Sequence, residues 1–155
     1  MAYSRRLTQA LGVMNSNERD AYLFALDEEL LKAGIILSEW CSEIVRQADT
    51  AFVNGADLAA ILTAVAAAET YLRSEYATQK RQRLAALIDE APIELELKQD
   101  LHTLRKYRNK WVHMDEPWND EPLIEHPEAL CAELEGMAKF ACHVLRRTIY
   151  ENQWI

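Results

Sequence analysis

Apolar residues recur along this chain at steps of three and four, the period of an amphipathic helix, and nowhere alternate at period two over a strand length. From Ser16 to about Phe52, the residues Leu23, Leu26, Leu30, Ala33, Ile36 and Trp40 fall on one face. This predicts a single long helix, capped in the Ser16-Asn17-Glu18-Arg19 segment and loosened or bent at Gly34. A short helix is predicted ahead of it, from about Tyr3 to Val13, ending near Gly12. Asn54-Gly55 closes the long helix and caps the next, an Ala-rich element from Ala56 to about Gln79 that carries Leu58, Ile61, Leu62 and Val65. Small side chains let neighbours approach closely, so this helix is placed at the centre. Lys80 to Glu90 either continues it as a bend or stands as a separate helix. Pro92 suits the first turn of another helix reaching His113 or Asp115. Pro117, Pro122 and Pro127 then punctuate a loop, and Pro127 opens a last helix through Leu130, Leu134, Met137, Phe140, Ala141, Val144 and Leu145. The fold class is therefore all-α, with a Pro-punctuated loop before the last helix and residues 1–155 forming one domain.

Composition sharpens this picture. Only 4 Gly and 4 Pro in 155 residues favour long helices, and 50% apolar with 27% charged residues is an ordinary globular balance. The formal charge of −8 argues against broad coating of nucleic acid or of an anionic membrane, so any RNA contact must come from a local basic patch. Cys41, Cys131 and Cys142 are scattered without CxxC spacing; buried thiols in a reducing compartment are expected, and no metal site. The start of the chain lacks an apolar run behind Arg5-Arg6, and the most apolar stretch, Ala56 to Ala68, is too short to span a bilayer. A cytoplasmic protein without a membrane partner is the expectation.

The informative segment is Leu101-His-Thr-Leu-Arg-Lys-Tyr-Arg-Asn-Lys-Trp-Val-His113. Its apolar stripe runs Ile93, Leu97, Leu101, Leu104, then Arg108, then Trp111, so a guanidinium occupies a slot where the pattern calls for Leu. Such a charge is costly unless it is paired or faces a cleft or a partner. Asn109 and His113 share a face, whereas Arg108 and His113 stand roughly 140° apart on an ideal helix. They reach one phosphate only if the helix loosens before His113 or if a second copy completes the site. Arg105, Lys106 and Lys110 add a local positive cluster suited to RNA. From Asp115 to Glu135 there are eight carboxylates and no Lys or Arg, either a solvated acidic surface or a receiver for a cationic partner such as an antitoxin. His102 and His143 are read as structural or surface residues, His126 as a helix-start residue, and the four Trp as core or interface anchors.

Arg108-Asn-Lys-Trp-Val-His113 resembles the HEPN signature, in which Arg, a polar residue and a spacer of four to six residues precede His. The wider context Leu104-Arg105-Lys106-Tyr107-Arg108-Asn109-Lys110, with His113-Met114-Asp115, is similar to that of abortive-infection and toxin members. The sequence resemblance covers this dozen residues. It implies a bundle of four to five helices with the motif near the end of a long one. It also implies a homodimer in which two motifs meet across the interface, and a metal-independent endoribonuclease of toxin or antiphage type that needs no cofactor. In that chemistry an RNA 2′-hydroxyl attacks the adjacent phosphate. His113 would act as general base or acid, since an imidazole titrates near neutrality. Arg108 would stabilise the phosphorane oxygens, and Asn109 would orient His113 or a phosphate oxygen. One His cannot serve as base and acid in a single concerted step; two copies supply two. Where related toxins carry a Tyr that the antitoxin modifies with AMP, this chain has Asp115, so that control is not expected. Two alternatives stand beside the nuclease: a catalytically silent HEPN module binding nucleotide, RNA or a protein, and an unrelated helical adaptor in which Arg108 is merely paired.

Overall fold

The computed structural model describes residues 13–154. It is all-α, with seven helices among the described residues: α1 (Ser16–Leu30), α2 (Glu39–Val53), α3 (Asp57–Tyr76), α4 (Leu84–Glu90), α5 (Leu95–Val112), α6 (Glu121–Glu125) and α7 (Pro127–Ile149). Five have fifteen residues or more, and α4 and α6 are short. The short helix predicted before Val13 lies outside the described residues. No described helix is long and apolar enough to cross a membrane.

The helices arise from local signals. Asn15, one residue ahead of the predicted cap segment, opens α1 with a reciprocal capping box to Glu18. Ser38 caps α2 by accepting from the Cys41 amide. Asn54 and Gly55, the latter at φ +78, end α2 as predicted, but the N-cap of α3 is Ala56, with no side-chain cap. Pro92 lies outside α5, which starts at Leu95 behind Glu94. Residues 80–90 resolve into a separate helix, α4, after a turn through Arg81 at φ +62.

The single helix predicted from Ser16 to Phe52 is in fact two. The chain leaves α1 at Leu31 and runs extended to Ser38. The C-terminal tail takes up the freed backbone groups: Gln153 Oε1 accepts from the amides of Lys32 (2.6 Å) and Ala33 (2.8 Å), and its Nε2 donates to Leu30 O (2.8 Å). Gly34 and Trp154 exchange both backbone bonds, at 2.8 and 2.9 Å. Ile36 and Trp40, expected in the core, therefore face outward. Trp118 and Trp154 are also exposed, so three of the four Trp are not core anchors; nor is Cys131 a buried thiol, unlike Cys41 and Cys142.

α3 is central, as its small side chains predict. Ala60, Ala64, Ala67 and Ala68 are buried where it packs between α2 and α7. Phe52 of α2 and Val144 and Leu145 of α7 meet this seam, and α4 and α5 add Leu87, Ile88, Leu97, Leu101 and Leu104. Each such aliphatic side chain contributes about 1.5–3 kcal/mol. Leu134, Met137 and Phe140 pack at the margin of this core.

Two buried arginines lock the bundle. Arg19 of α1 donates to Phe52 O at 2.9 Å and Met14 O at 3.2 Å, forks onto the Asp57 carboxylate, and lies over the Phe52 ring. Arg146 of α7 binds Asp27 at 2.8 Å and both Asp49 oxygens at 2.9 Å. These fully paired guanidiniums tie α1 to α2, α3 and α7. Cys142, a turn before Arg146, is buried, and that burial pushes its thiol up to about 12.

Candidate functional site

α5 carries five of the six residues that the sequence singles out and His113 caps its end, and the fold sends them in different directions. Its buried stripe is Leu97, Leu101 and Leu104, so the next position, Arg108, is directed at α3. There the guanidinium is 25% exposed and meets Glu69, with Nη1 3.8 Å from Oε2. Its Nε donates to Asn109 Oδ1 at 3.1 Å. Glu69 is held more tightly by Arg73, at 2.7 Å, and Arg73 in turn donates to Gln82 O at 2.9 Å. Neither terminal nitrogen of Arg108 makes a hydrogen bond among the described residues. Asn109 Oδ1 thus accepts from Arg108, and no side-chain hydrogen bond joins Asn109 to His113 among the described residues.

His113 is the C-cap of α5, at φ −121 and ψ 65, and its backbone N–H still closes the helix onto Asn109 O at 2.9 Å. Any loosening of the helix comes at His113 itself and not before it. The imidazole is exposed and makes no side-chain hydrogen bond among the described residues. Among the described residues no hydrogen bond joins it to Arg108, whose side chain is turned to Asn109 and Glu69.

The basic cluster also divides. Arg105 donates from Nε to His102 Nδ1 at 3.3 Å, and His102 Nε2 lies 2.7 Å from Asp89 Oδ1. An acceptor at Nδ1 leaves the proton of a neutral ring on Nε2, pointing at Asp89. This fixes His102 as a clamp between α5 and α4, in keeping with its structural reading. Lys106 is exposed. Lys110 is exposed as well, with Nζ 5.7 Å from the centre of the Tyr107 ring. Lys106, Lys110 and His113 therefore form the outward part of the segment.

Sequence reading missed Glu69, the partner of Arg108. Its signal was present: a lone carboxylate after Ala66-Ala67-Ala68 on the central helix, where the neighbouring positions are buried. Also unforeseen is Glu151, which accepts from the hydroxyls of Tyr71 (3.0 Å) and Tyr76. No local pattern links those three residues, because Glu151 lies 80 and 75 residues along the chain from Tyr71 and Tyr76. Among the described residues, no group of three or more His, Cys, Asp or Glu side chains is placed to hold a metal ion.

Beyond His113 the chain turns through Pro117 into α6 and back along α7. A groove of about 580 Å³ lies between these parts, with Lys110 and Trp111 at its α5 edge. Arg108 and His113 are not among its lining residues. No family model matches this chain, and no curated protein or solved structure matches it either.

Proposed function

We propose that the end of α5 is half of a metal-independent RNA-cleaving site, completed by a second copy of the chain, in a protein of toxin or antiphage type. One observation carries this reading: at a core-facing position neither terminal nitrogen of Arg108 makes a hydrogen bond among the described residues, whereas the two buried arginines, Arg19 and Arg146, use every guanidinium nitrogen. Arg19 and Arg146 are almost wholly buried, with their forks filled by carboxylates and carbonyls. Arg108 keeps its terminal nitrogens free of hydrogen bonds beside a carboxylate already claimed by Arg73. The histidines differ likewise, since both ring nitrogens of His102 are engaged and those of His113 are not. The HEPN-like order of Arg108, Asn109 and His113 adds support.

In the cleavage step His113 removes the proton of the RNA 2′-hydroxyl, and the 2′-oxygen bonds to the adjacent phosphorus. The P–O5′ bond breaks, and the 5′-oxygen takes a proton from the acid supplied by His113 of the partner subunit. The products are a 2′,3′-cyclic phosphate and a 5′-hydroxyl. Arg108 holds the charge on the non-bridging oxygens through its planar donors, Asn109 keeps the guanidinium in place, and Lys106 and Lys110 draw the backbone in.

The Arg108–Glu69 contact favours a second reading, a helical adaptor without nuclease activity in which Arg108 is merely paired. RNA cleavage in excess EDTA separates the two. On the nuclease reading the wild type cleaves, His113→Ala loses about 10²–10⁴-fold, and Arg108→Ala about 10²–10³-fold. Cleavage that requires added metal, or that survives both changes, rules the mechanism out.

A further inference from the structure

The face built by residues 114–130 has no use in the cleavage chemistry, and its composition is unusual. α6 buries none of its residues: Ile124 is 73% exposed, Leu123 is nearly half exposed, and Trp118 ahead of them is 76% exposed. α6 packs on α7 alone. Large apolar side chains gathered on one surface mark an interaction site more often than chance exposure does. Beside them runs the groove of about 580 Å³, whose apolar walls are Trp111 and Met114 on one side and Leu123 and Leu130 on the other. That volume takes one or two large side chains.

Charge identifies the occupant. Glu116, Asp120 and Glu133 border the groove directly, and among the described residues Lys110 is the one Lys or Arg on its lining, with His126 also on it. The flanking sequence from Asp115 to Glu135 adds only carboxylates, on a chain whose formal charge is −8. A polyanion such as RNA, or an anionic membrane, is repelled from this face. A second copy docking through the same face sets carboxylate against carboxylate. Lys and Arg side chains around an apolar anchor match it. The prolines help, since Pro117 and Pro122 fix their backbone φ and reduce the ordering that binding demands.

We infer that this groove is a docking site for a basic amphipathic segment of a protein partner, with an apolar side chain seated between Met114, Leu123 and Leu130 and cationic side chains on the Glu116–Asp120 rim. Neither Arg108 nor His113 lines it, and Lys110 is the one residue it shares with the proposed RNA-cleaving site.

Fluorescence titration with three labelled eighteen-residue helical peptides tests the assignment. One carries Leu at steps of three and four with Lys elsewhere, one replaces Lys with Glu, and one keeps Lys but replaces Leu with Ser. The Leu–Lys peptide is expected to bind at micromolar concentration, and the other two at least about tenfold more weakly. The surface changes Leu123→Ser and Glu116→Lys/Asp120→Lys each weaken it by about tenfold or more. Both alter exposed side chains, and circular dichroism of each variant checks that it remains folded. Equal binding of all three peptides, no binding, or binding unmoved by either variant overturns the inference. So does a chain that sediments as a dimer and dissociates on Leu123→Ser, which makes the face a contact between copies.

Discussion

An arginine facing a protein core is costly unless it is paired, and this chain holds a closely and a loosely paired example. Arg146 binds Asp27 and Asp49 with three donors, and those bonds with the carboxylate charges keep its guanidinium protonated despite burial. Removing it leaves Asp27 and Asp49 without their shared guanidinium, with only the Tyr150 hydroxyl still donating to Asp27. Arg146→Met is predicted to cost about 3 kcal/mol, near the low end for a broken buried pair because its carboxylates are partly exposed. Arg108→Met is predicted to cost less than about 1 kcal/mol, since its contact with Glu69 is long and partly solvated. Paired denaturant titrations check both, and an Arg108→Met cost equal to that of Arg146→Met would make Arg108 a structural residue. Sequence alone marked Arg108 as out of pattern. It could not grade its pairing, because the grade depends on Glu69 and Arg73, a helix away.

At the scale of elements, the Gly34–Ser38 stretch shows where reading by period gives way to tertiary contact. Leu30, Ala33 and Ile36 keep the helical step, yet the backbone there bonds to Gln153 and Trp154. Cues were present in Gly34, the β-branched pair Ile35-Ile36 and the capping Ser38, all weak in helix interiors. The partner more than a hundred residues away was not legible. Gln153→Ala removes three hydrogen bonds to this segment and is predicted to cost about 1–3 kcal/mol. Amide exchange at Lys32, Ala33 and Gly34 should quicken while the α3 core stays protected. A Cβ at Gly34 would lie 3.2 Å from Trp154 O, so Gly34→Ala should loosen the same tail. Uniform exchange across the bundle in either variant would mean that the strap is not a separate element. The end of α5 was read well, because Leu97, Leu101 and Leu104 dominate its placement.

For the whole molecule, the all-α class and the central Ala-rich helix were legible because burial follows period over long stretches. The long-range polar locks were not. Two of them, around Glu151 and Asp27, hold tyrosines whose titration predicts an alkaline dependence of stability. Burial, reinforced by the hydrogen bond to Glu151, pushes the Tyr76 phenol up to about 12, and burial raises Tyr71 and Tyr150 as well. An unfolded chain releases these protons near pH 10. Their stabilising effect is therefore complete below about pH 10 and lost as pH climbs toward the folded-state values. Tm should hold steady from pH 7 to 9 and fall above about 10, with a shallower fall in Tyr76→Phe. A Tm unchanged to pH 12 would contradict this. The proposed two-copy cleft predicts interference between unequal subunits. When wild type exchanges subunits with His113→Ala, RNA cleavage per wild-type chain should fall to about half at equal amounts, and to about a tenth at ninefold excess of the variant. Cleavage per wild-type chain that stays constant at every ratio would mean that each chain acts alone.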